Sequence, residues 1–166
     1  MEELVRNHCC TAVLCSATQP ALRRYFDVSV EMREIASSPE ELYRALRRVR
    51  FEHVGQLDNA ALLERLQQQI QVLCVVNTKL QAQALFEGLS GEGNYHLSTL
   101  MTPTHRRRIL AEIRERLTNH LSCRVVSTSL IEAGVDVDFP TVYRQEAGLD
   151  SAVQAAGRCN REGKRN

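Results

Sequence analysis

Two arginines near the end of this 166-residue sequence have the type and spacing that phosphate chemistry uses. Arg158 and Arg161 are three positions apart, and Gln154 and Gly157 come just before them. A guanidinium is planar and always charged, so it binds phosphate through two parallel hydrogen bonds. Arginines of this kind stabilise the charge on a γ-phosphate during its transfer. The alternative is that both are solvated charges on one helix face, because residues three apart share a face.

An acidic segment, residues 132–140, is the second candidate. It holds Glu132, Asp136 and Asp138, and its Gly134 lets the backbone approach a ligand closely. The carboxylates could bind a ribose hydroxyl, a metal ion, or an arginine across an interface. An acidic loop that caps a helix and faces water explains them equally well, so this segment alone decides nothing.

Alternating apolar patterns predict the elements that would position these residues. Strands are predicted at 11–18, 28–35, 50–54, 71–77, 96–100, 123–129 and 141–146. Helices are predicted at 20–26, 37–49, 59–69, 78–89 and 102–117, and a last one from 149 through the arginine pair. Ser38, Asp58 and Thr102 are the predicted N-caps.

This alternation of strands and helices predicts an α/β fold with a mainly parallel sheet and helices on both faces. Sheets of this type bind ligands at the carboxyl ends of their strands. Asn77–Thr78, Thr128–Ser129 and the segment 154–161 are all predicted to lie there. The region 1–36 differs from the later strand–helix units and need not share their sheet.

The composition, with 43% hydrophobic and 25% charged residues, is that of a globular protein. A net charge of +1 does not require a nucleic-acid partner, so such a partner must be argued from local patches. The six cysteines include no Cys-x-x-Cys pair and the five histidines are scattered, so no metal site is predicted. Cys15, Cys74 and Cys123 lie in apolar runs and are predicted to be reduced, buried thiols of a cytoplasmic protein. Neither a signal peptide nor a run of about 18 apolar residues occurs, so no membrane partner is expected.

Four segments, in this order, resemble motifs III, IV, V and VI of superfamily 2 helicases. They are SAT (16–18), VVNTKLQAQALFEGL (75–89), STSLIEAGVDVDFP (127–140) and QAAGRCNR (154–161). The last matches Gln-x-x-Gly-Arg-x-x-Arg at Gln154, Gly157, Arg158 and Arg161. Residues 96–117 and 131–163 closely resemble the type I CRISPR-associated nuclease-helicase, a family recruited by an RNA-guided surveillance complex to unwind and degrade displaced DNA. The resemblance is specific across 71–164 and looser across 1–70.

The resemblance implies a RecA-like helicase domain that works with ATP and Mg²⁺ on single-stranded DNA. It implies that Arg161 reaches the γ-phosphate, that Arg158 assists or anchors the motif, and that Gln154 orients it. Three further residues would belong to the nucleotide site, namely Gly134, Asp136 and Gly157. Five would contact the DNA backbone, where hydroxyls and amides suit contacts without sequence information: Asn77, Thr78, Ser98, Thr99 and Thr128.

Parts of the family's sequence pattern do not occur here. The family's first RecA-like half carries Gly-x-x-x-x-Gly-Lys-Thr, which holds phosphate and magnesium, and an Asp-Glu box. Neither occurs in this sequence, and no His-Asp dipeptide of a nuclease domain occurs either. We therefore expect a fragment that is inactive alone: 1–36 as a remnant of the first half with a linker, and 37–166 as a truncated second half. Its expected partners are single-stranded DNA, the first half, the nuclease domain and the surveillance complex. Residues 1–25 are expected to be the least well packed part.

Two other functions remain open on the sequence. One is a nucleic-acid-binding module without nucleotide chemistry, favoured by the run His105 to Arg108, since cations are unusual at a helix N-terminus. The other is the same motor half from a repair or RNA helicase, against which the run AGLDSAVQAAGRCNREG (147–163) argues by its closer resemblance to the CRISPR family.

Overall fold

A computed structural model of the chain describes residues 2–8, 10–14, 25–26, 31–131 and 135–163. It divides into two compact units, Met1–Arg47 and Arg48–Asn166. The described residues of the first unit include two short helices, α1 (Glu2–Asn7) and α2 (Pro39–Ala45). Pro39 opens α2 as predicted, but the Ser38 side chain makes no capping bond and α2 has no buried residue.

The strands predicted before residue 55 are wrong wherever the structure describes them. Residues 11–14, 31–35 and 50–54 form no strand. An alternating pattern becomes a strand only when another strand pairs with it, and these segments have no pairing among the described residues. The remainder of 11–18 and 28–35, with most of the predicted helix 20–26, lies outside the described residues. Leu14 is 44% exposed, in keeping with the expectation that residues 1–25 pack poorly.

The second unit holds the predicted strand–helix units. Its elements are α3 (Asn59–Gln68), β1 (Gln71–Val75), α4 (Lys79–Gly88), β2 (Asn94–Leu97), α5 (Pro103–Thr118), β3 (Cys123–Ser127), a 3₁₀ turn (Ser129–Ile131), β4 (Val142–Arg144) and α6 (Leu149–Ala156). Asp58 and Thr102 are confirmed as N-caps, since their side chains accept hydrogen bonds from the Ala61 and His105 amides.

The four strands form one parallel sheet in the order β2-β3-β1-β4. Their last residues are in register, because Val75 of β1 pairs with Ser127 of β3 on one side and with Arg144 of β4 on the other. Leu97 of β2 completes this row through Ser127. All four strands therefore end level at one edge, called the strand-end edge below.

Helices cover both faces of the sheet, which confirms the predicted fold class. Alternate residues of β1 and β3 point to opposite sides. On one side Leu73 and Val125 pack in a cluster with Ile113 of α5, and on the other Cys74 and Val126 cluster with residues of α3 and α4. None of the helices in the described ranges is long and apolar enough to be a membrane span.

Two of the cysteines predicted to be buried are so. Burial raises the pKa of the Cys74 and Cys123 thiols to about 12, so both stay protonated and unreactive at neutral pH. Cys15 lies outside the described residues.

Hydrogen bonds from Gln71 connect the end of α5 to the start of β1. The last carbonyls of a helix have no partner within it. The buried Gln71 amide donates to the carbonyls of Arg116, Leu117 and Leu121 at 3.1–3.3 Å. The helix that bears Arg114, a contact of the candidate site, is thereby fixed to the sheet.

Candidate nucleotide and nucleic-acid sites

The last helix ends before the two arginines, so the prediction that it carries both is wrong. α6 ends at Ala156, and the Arg158 and Cys159 amides donate to Ala155 and Ala156 three residues back, as in a turn. The arginines therefore do not share a helix face, and the alternative of a solvated helix face does not describe them. We call residues 158–161 the arginine turn.

The arginine turn is paired to Phe139, which is fully buried. The Phe139 amide donates to the Arg158 carbonyl at 2.9 Å, and its carbonyl accepts from the Asn160 amide at 3.0 Å. This one-residue parallel bridge explains why the helix stops, since its backbone groups are taken by another segment. Phe139 lies in the segment that leads into the N-terminal end of β4. Residues 154–161 were instead predicted to lie at the carboxyl ends of the strands.

Arg158 is the inner arginine of the turn. It is half-buried, and its Nε donates to the carbonyl of the buried Ile131 at 3.1 Å. Its side chain thus links the arginine turn to the end of the 3₁₀ turn that follows β3. That contact suits an anchoring side chain.

Arg161 is the outer arginine and is held by two carboxylates of the acidic segment. Its Nε lies 3.2 Å from Asp136 Oδ1, and its backbone amide donates to Asp138 Oδ1 at 2.7 Å. Arg114 Nε in turn donates to the Asp136 carbonyl at 2.8 Å. The sequence left a ribose hydroxyl, a metal ion and an arginine open as partners for these carboxylates. In the structure their partner is Arg161 of the same chain.

The ion pair between Arg161 and Asp136 is weak enough to exchange. The two side chains are 43% and 76% exposed. Exposed pairs of this kind contribute only about 0–1 kcal/mol, because water screens them and holding two long side chains costs entropy. The Arg161 guanidinium can therefore leave Asp136 for a stronger anion at little cost.

Both arginines line one open cavity of about 320 Å³, together with Val135 and Asp136. Two guanidiniums facing one hollow suit a ligand with more than one negative charge. Gln154 is half-buried in α6 and Gly157 is exposed next to the cavity-lining Arg158. Gly134 and Glu132 lie outside the described residues. Within the described ranges no group of three or more His, Cys, Asp or Glu residues is arranged to hold a metal ion.

Asn77 follows β1, and its side chain is engaged with β4. Its Nδ2 donates to the Glu146 carbonyl at 2.8 Å, and its Oδ1 accepts from Arg144 Nη1 at 2.7 Å. The Asn77 backbone amide donates to Gln145 Oε1 at 2.7 Å. Sequence reasoning missed Gln145 and Arg144, because only the pairing of β1 with β4 brings them to Asn77.

The other residues predicted to contact DNA follow the strand ends but differ in access. Thr78 caps α4, where its hydroxyl accepts from the Gln81 amide at 3.2 Å, and Thr99 is exposed. Thr128 is half-buried. Ser98 is only 8% exposed, and its hydroxyl accepts from the Leu100 amide. All four residues follow strands that end at the strand-end edge.

A family model described as "CRISPR-associated nuclease/helicase Cas3, C-terminal" matches residues 68–164. Among curated proteins, the CRISPR-associated nuclease/helicase Cas3 of Haloferax volcanii is 34% identical over 122 residues, which cover 66% of this chain and 13% of that protein. The Cas3 of Methanothermobacter thermautotrophicus is 33% identical over 92 residues, covering 54% of this chain and 11% of that protein. The chain thus spans a small part of the length of these relatives.

Solved structures agree on the fold. The crystal structure of T. fusca Cas3-ADP matches with a TM-score of 0.55 and 23% identity, over 66% of this chain and 15% of that one. The crystal structure of the DUF1998 helicase MrfA bound to DNA matches with a TM-score of 0.51 and 21% identity, over 61% of this chain and 14% of that one. Because the family model matches more than half of the chain, the chain belongs to the family of Cas3 nuclease/helicase C-terminal regions.

Proposed function

We propose that this domain is the second RecA-like half of an ATP-dependent single-stranded-DNA translocase of CRISPR interference, with Arg161 as its arginine finger. The observation that carries the proposal is the Arg161 guanidinium. It is partly exposed, lines a cavity with a second arginine, and within the described part of the chain is paired with the exposed carboxylate of Asp136. The backbone that bears it is fixed by hydrogen bonds to Asp138 and to the buried Phe139 pairing.

The residues of the cavity fit a nucleotide triphosphate tail. When bound, ATP with Mg²⁺ supplies the phosphoryl group that is transferred to water. Arg158, tied to Ile131, keeps a positive charge at the cavity wall, while Arg161 has the freedom to move from Asp136 to a phosphate oxygen. The Gly-Lys-Thr loop that this sequence lacks would come from the first RecA-like half, which we propose as the domain's partner in the complete enzyme.

When Arg161 exchanges Asp136 for a phosphate oxygen, it stabilises the transition state more than the ground state. Negative charge on the phosphoryl oxygens redistributes during transfer, and a guanidinium brought from the opposite side responds to that change. Asp136 therefore has the role of a resting partner, which keeps Arg161 ordered in the absence of nucleotide. Gln154, Gly157 and Gly134 remain proposed nucleotide-site residues on the family resemblance alone.

We place the DNA-backbone contacts at the strand-end edge. The Thr78 hydroxyl accepts a hydrogen bond from the Gln81 amide and keeps its own proton to donate to a phosphate oxygen. Thr99 is exposed and Thr128 partly so. Ser98 is buried, and both the side chain and the backbone amide of Asn77 are engaged within the protein, so we assign these two residues the support of this edge. The nuclease domain and the RNA-guided surveillance complex are proposed partners of the complete enzyme.

The purified chain alone is expected not to hydrolyse ATP. It supplies arginines, but it has neither the lysine nor the hydroxyl that hold the phosphates and magnesium. Phosphate release would be measured with and without single-stranded DNA, using Arg161→Ala as the control for contaminating ATPase. DNA-stimulated release that Arg161→Ala removes would contradict the two-half motor.

Single-stranded DNA is expected to bind this chain weakly, without sequence preference and with a strong dependence on salt. Each neutralised phosphate adds about 0.7 to the slope of log affinity against log salt. Arg107→Gln, at the N-terminus of α5, should reduce that slope by about one such step. Arg50→Gln, at an exposed arginine outside the strand ends, serves as the control.

The same titration separates the second candidate function. The observation in its favour is the basic run His105 to Arg108 in the first two turns of α5, a helix that begins at Pro103, six positions after β2 ends at the strand-end edge. Tight binding to one preferred sequence at physiological salt would support a binding module without nucleotide chemistry, and would count against the motor half.

A further inference from the structure

A pair of hydrogen bonds joins the arginine turn to the residue at which the second unit begins. Asn160 Nδ2 donates to the Arg48 carbonyl at 2.9 Å. Arg48 Nη1 donates in return to the Arg161 carbonyl. The Arg48 stem also runs beside Gly163, since a Cβ added to that glycine would lie 3.7 Å from Arg48 Cδ. We call the Arg48–Asn160–Arg161 contacts the clasp.

Asn160 has two features that a turn residue would not need together. It has a φ of 45°, in the left-handed region that only glycine and, less often, asparagine or aspartate adopt readily. It is also 8% exposed, with its amide directed at Arg48. Glycine would satisfy the backbone alone, so the side chain has its own use in the bond to Arg48.

The clasp and Asp138 together hold the two peptide groups that flank the Arg161 Cα. On one side Asp138 accepts from the Arg161 amide, and on the other Arg48 donates to the Arg161 carbonyl. With both peptide groups held, the orientation of the Arg161 side chain depends on rotation about its own bonds only. Removing the Arg48 side chain would remove the hydrogen bond to the Arg161 carbonyl.

We infer that Arg48 and Asn160 are positioning residues for Arg161, which set the direction in which its guanidinium leaves Asp136. This inference rests on the proposed role of Arg161 in phosphoryl transfer. Arg48 is the first residue of this unit and lies eleven positions before Asn59, where α3 begins. Through the clasp, the direction of the Arg161 side chain therefore also depends on the position of the segment that begins at Arg48.

The test is steady-state ATP hydrolysis by the complete enzyme with Asn160→Gly and Arg48→Ala. Asn160→Gly keeps the left-handed backbone and removes the donor, and Arg48→Ala removes the opposite donor from an exposed side chain. Misplacement of a reacting group by about 1 Å costs up to about 100-fold in rate, so kcat should fall roughly 10- to 100-fold. KM for ATP should change little, because Arg161 is proposed to contribute mainly in the transition state.

Matched variants separate positioning from folding. Arg48→Lys retains a donor and should recover most of kcat, whereas Arg50→Ala, at an exposed arginine paired with Glu52, should behave as wild type. Thermal unfolding of each variant checks that the fold is kept. If Asn160→Gly proves unfolded, the kcat of Arg48→Ala alone tests the inference.

The outcomes for the clasp and for the proposed function differ. If Arg161→Ala is inactive while Arg48→Ala and folded Asn160→Gly keep the wild-type kcat, the clasp is overturned and the function of Arg161 stands. If Arg161→Ala itself keeps the wild-type kcat, the proposed function fails. A loss of kcat in both clasp variants, recovered by Arg48→Lys, supports the inference.

Discussion

Arg161→Ala in the complete enzyme is expected to reduce ATP turnover by about 10³- to 10⁵-fold, the range known for arginine fingers. Nucleotide binding should be largely spared, because in the proposed two-half motor the lysine and magnesium of the first half would hold the resting γ-phosphate. The measurement is kcat together with a direct titration of a non-hydrolysable ATP analogue. The structure supports a clean result, since the Arg161 side chain is 43% exposed and its loss leaves no cavity in the core.

Three further variants sharpen this test. Arg161→Lys should recover little, because an ammonium lacks the planar fork of the guanidinium. Arg158→Ala should also be harmful, and part of the harm should appear as lost stability, since Arg158 Nε binds the Ile131 carbonyl. Asp136→Asn removes the resting charge partner and should leave turnover far higher than Arg161→Ala does. Turnover near wild type in Arg161→Ala would exclude the arginine-finger role.

Gly93→Ala is expected to be the most destabilising glycine-to-alanine substitution among the described turns, with Gly91→Ala as its matched control. Both glycines precede β2 with nearly equal φ values, +80° and +82°. Both alanines therefore carry the left-handed penalty of about 1–2 kcal/mol. A Cβ at Gly91 meets nothing within 4 Å, whereas one at Gly93 would lie 2.0 Å from the Ser122 carbonyl oxygen.

The clash at Gly93 cannot be relieved by a side-chain rotation. The Ser122 carbonyl is backbone and accepts a hydrogen bond from Arg116, and the Gly93 carbonyl accepts from the Arg124 amide at 2.8 Å. Overpacking of this kind adds about 1–3 kcal/mol. Urea unfolding with an unchanged slope should show that difference between the two variants. Equal midpoints would mean that the turn moves freely against β3.

Local signals in the sequence predict the second unit well. The apolar run at 71–77 and the capped helices after Asp58 and Thr102 are confirmed, because burial on both faces and a side-chain cap depend on near neighbours. The same patterns fail at 31–35 and 50–54, where alternation is present but the described residues supply no partner strand. An alternating apolar pattern predicts which face of a strand would be buried, but it does not predict whether a partner strand exists.

The candidate site was predictable in its residue types but not in its geometry. The spacing of Arg158 and Arg161 suits a helix face, yet Phe139, some 20 positions earlier, takes the backbone bonds that would continue the helix. The pairing of Arg161 with Asp136, and of Asn160 with Arg48, likewise joins residues distant in sequence. Contacts of this kind follow from the tertiary fold alone.

The strand order has a consequence for how this chain folds during synthesis. Across the residues that the structure describes, β2 pairs only with β3, and β1 pairs only with β3 and β4. No strand of the sheet therefore has a partner until the ribosome has released the residues of β3, up to Ser127. The apolar β1 must wait, unpaired, for some fifty residues of later chain, which makes it the segment most exposed to aggregation on the ribosome.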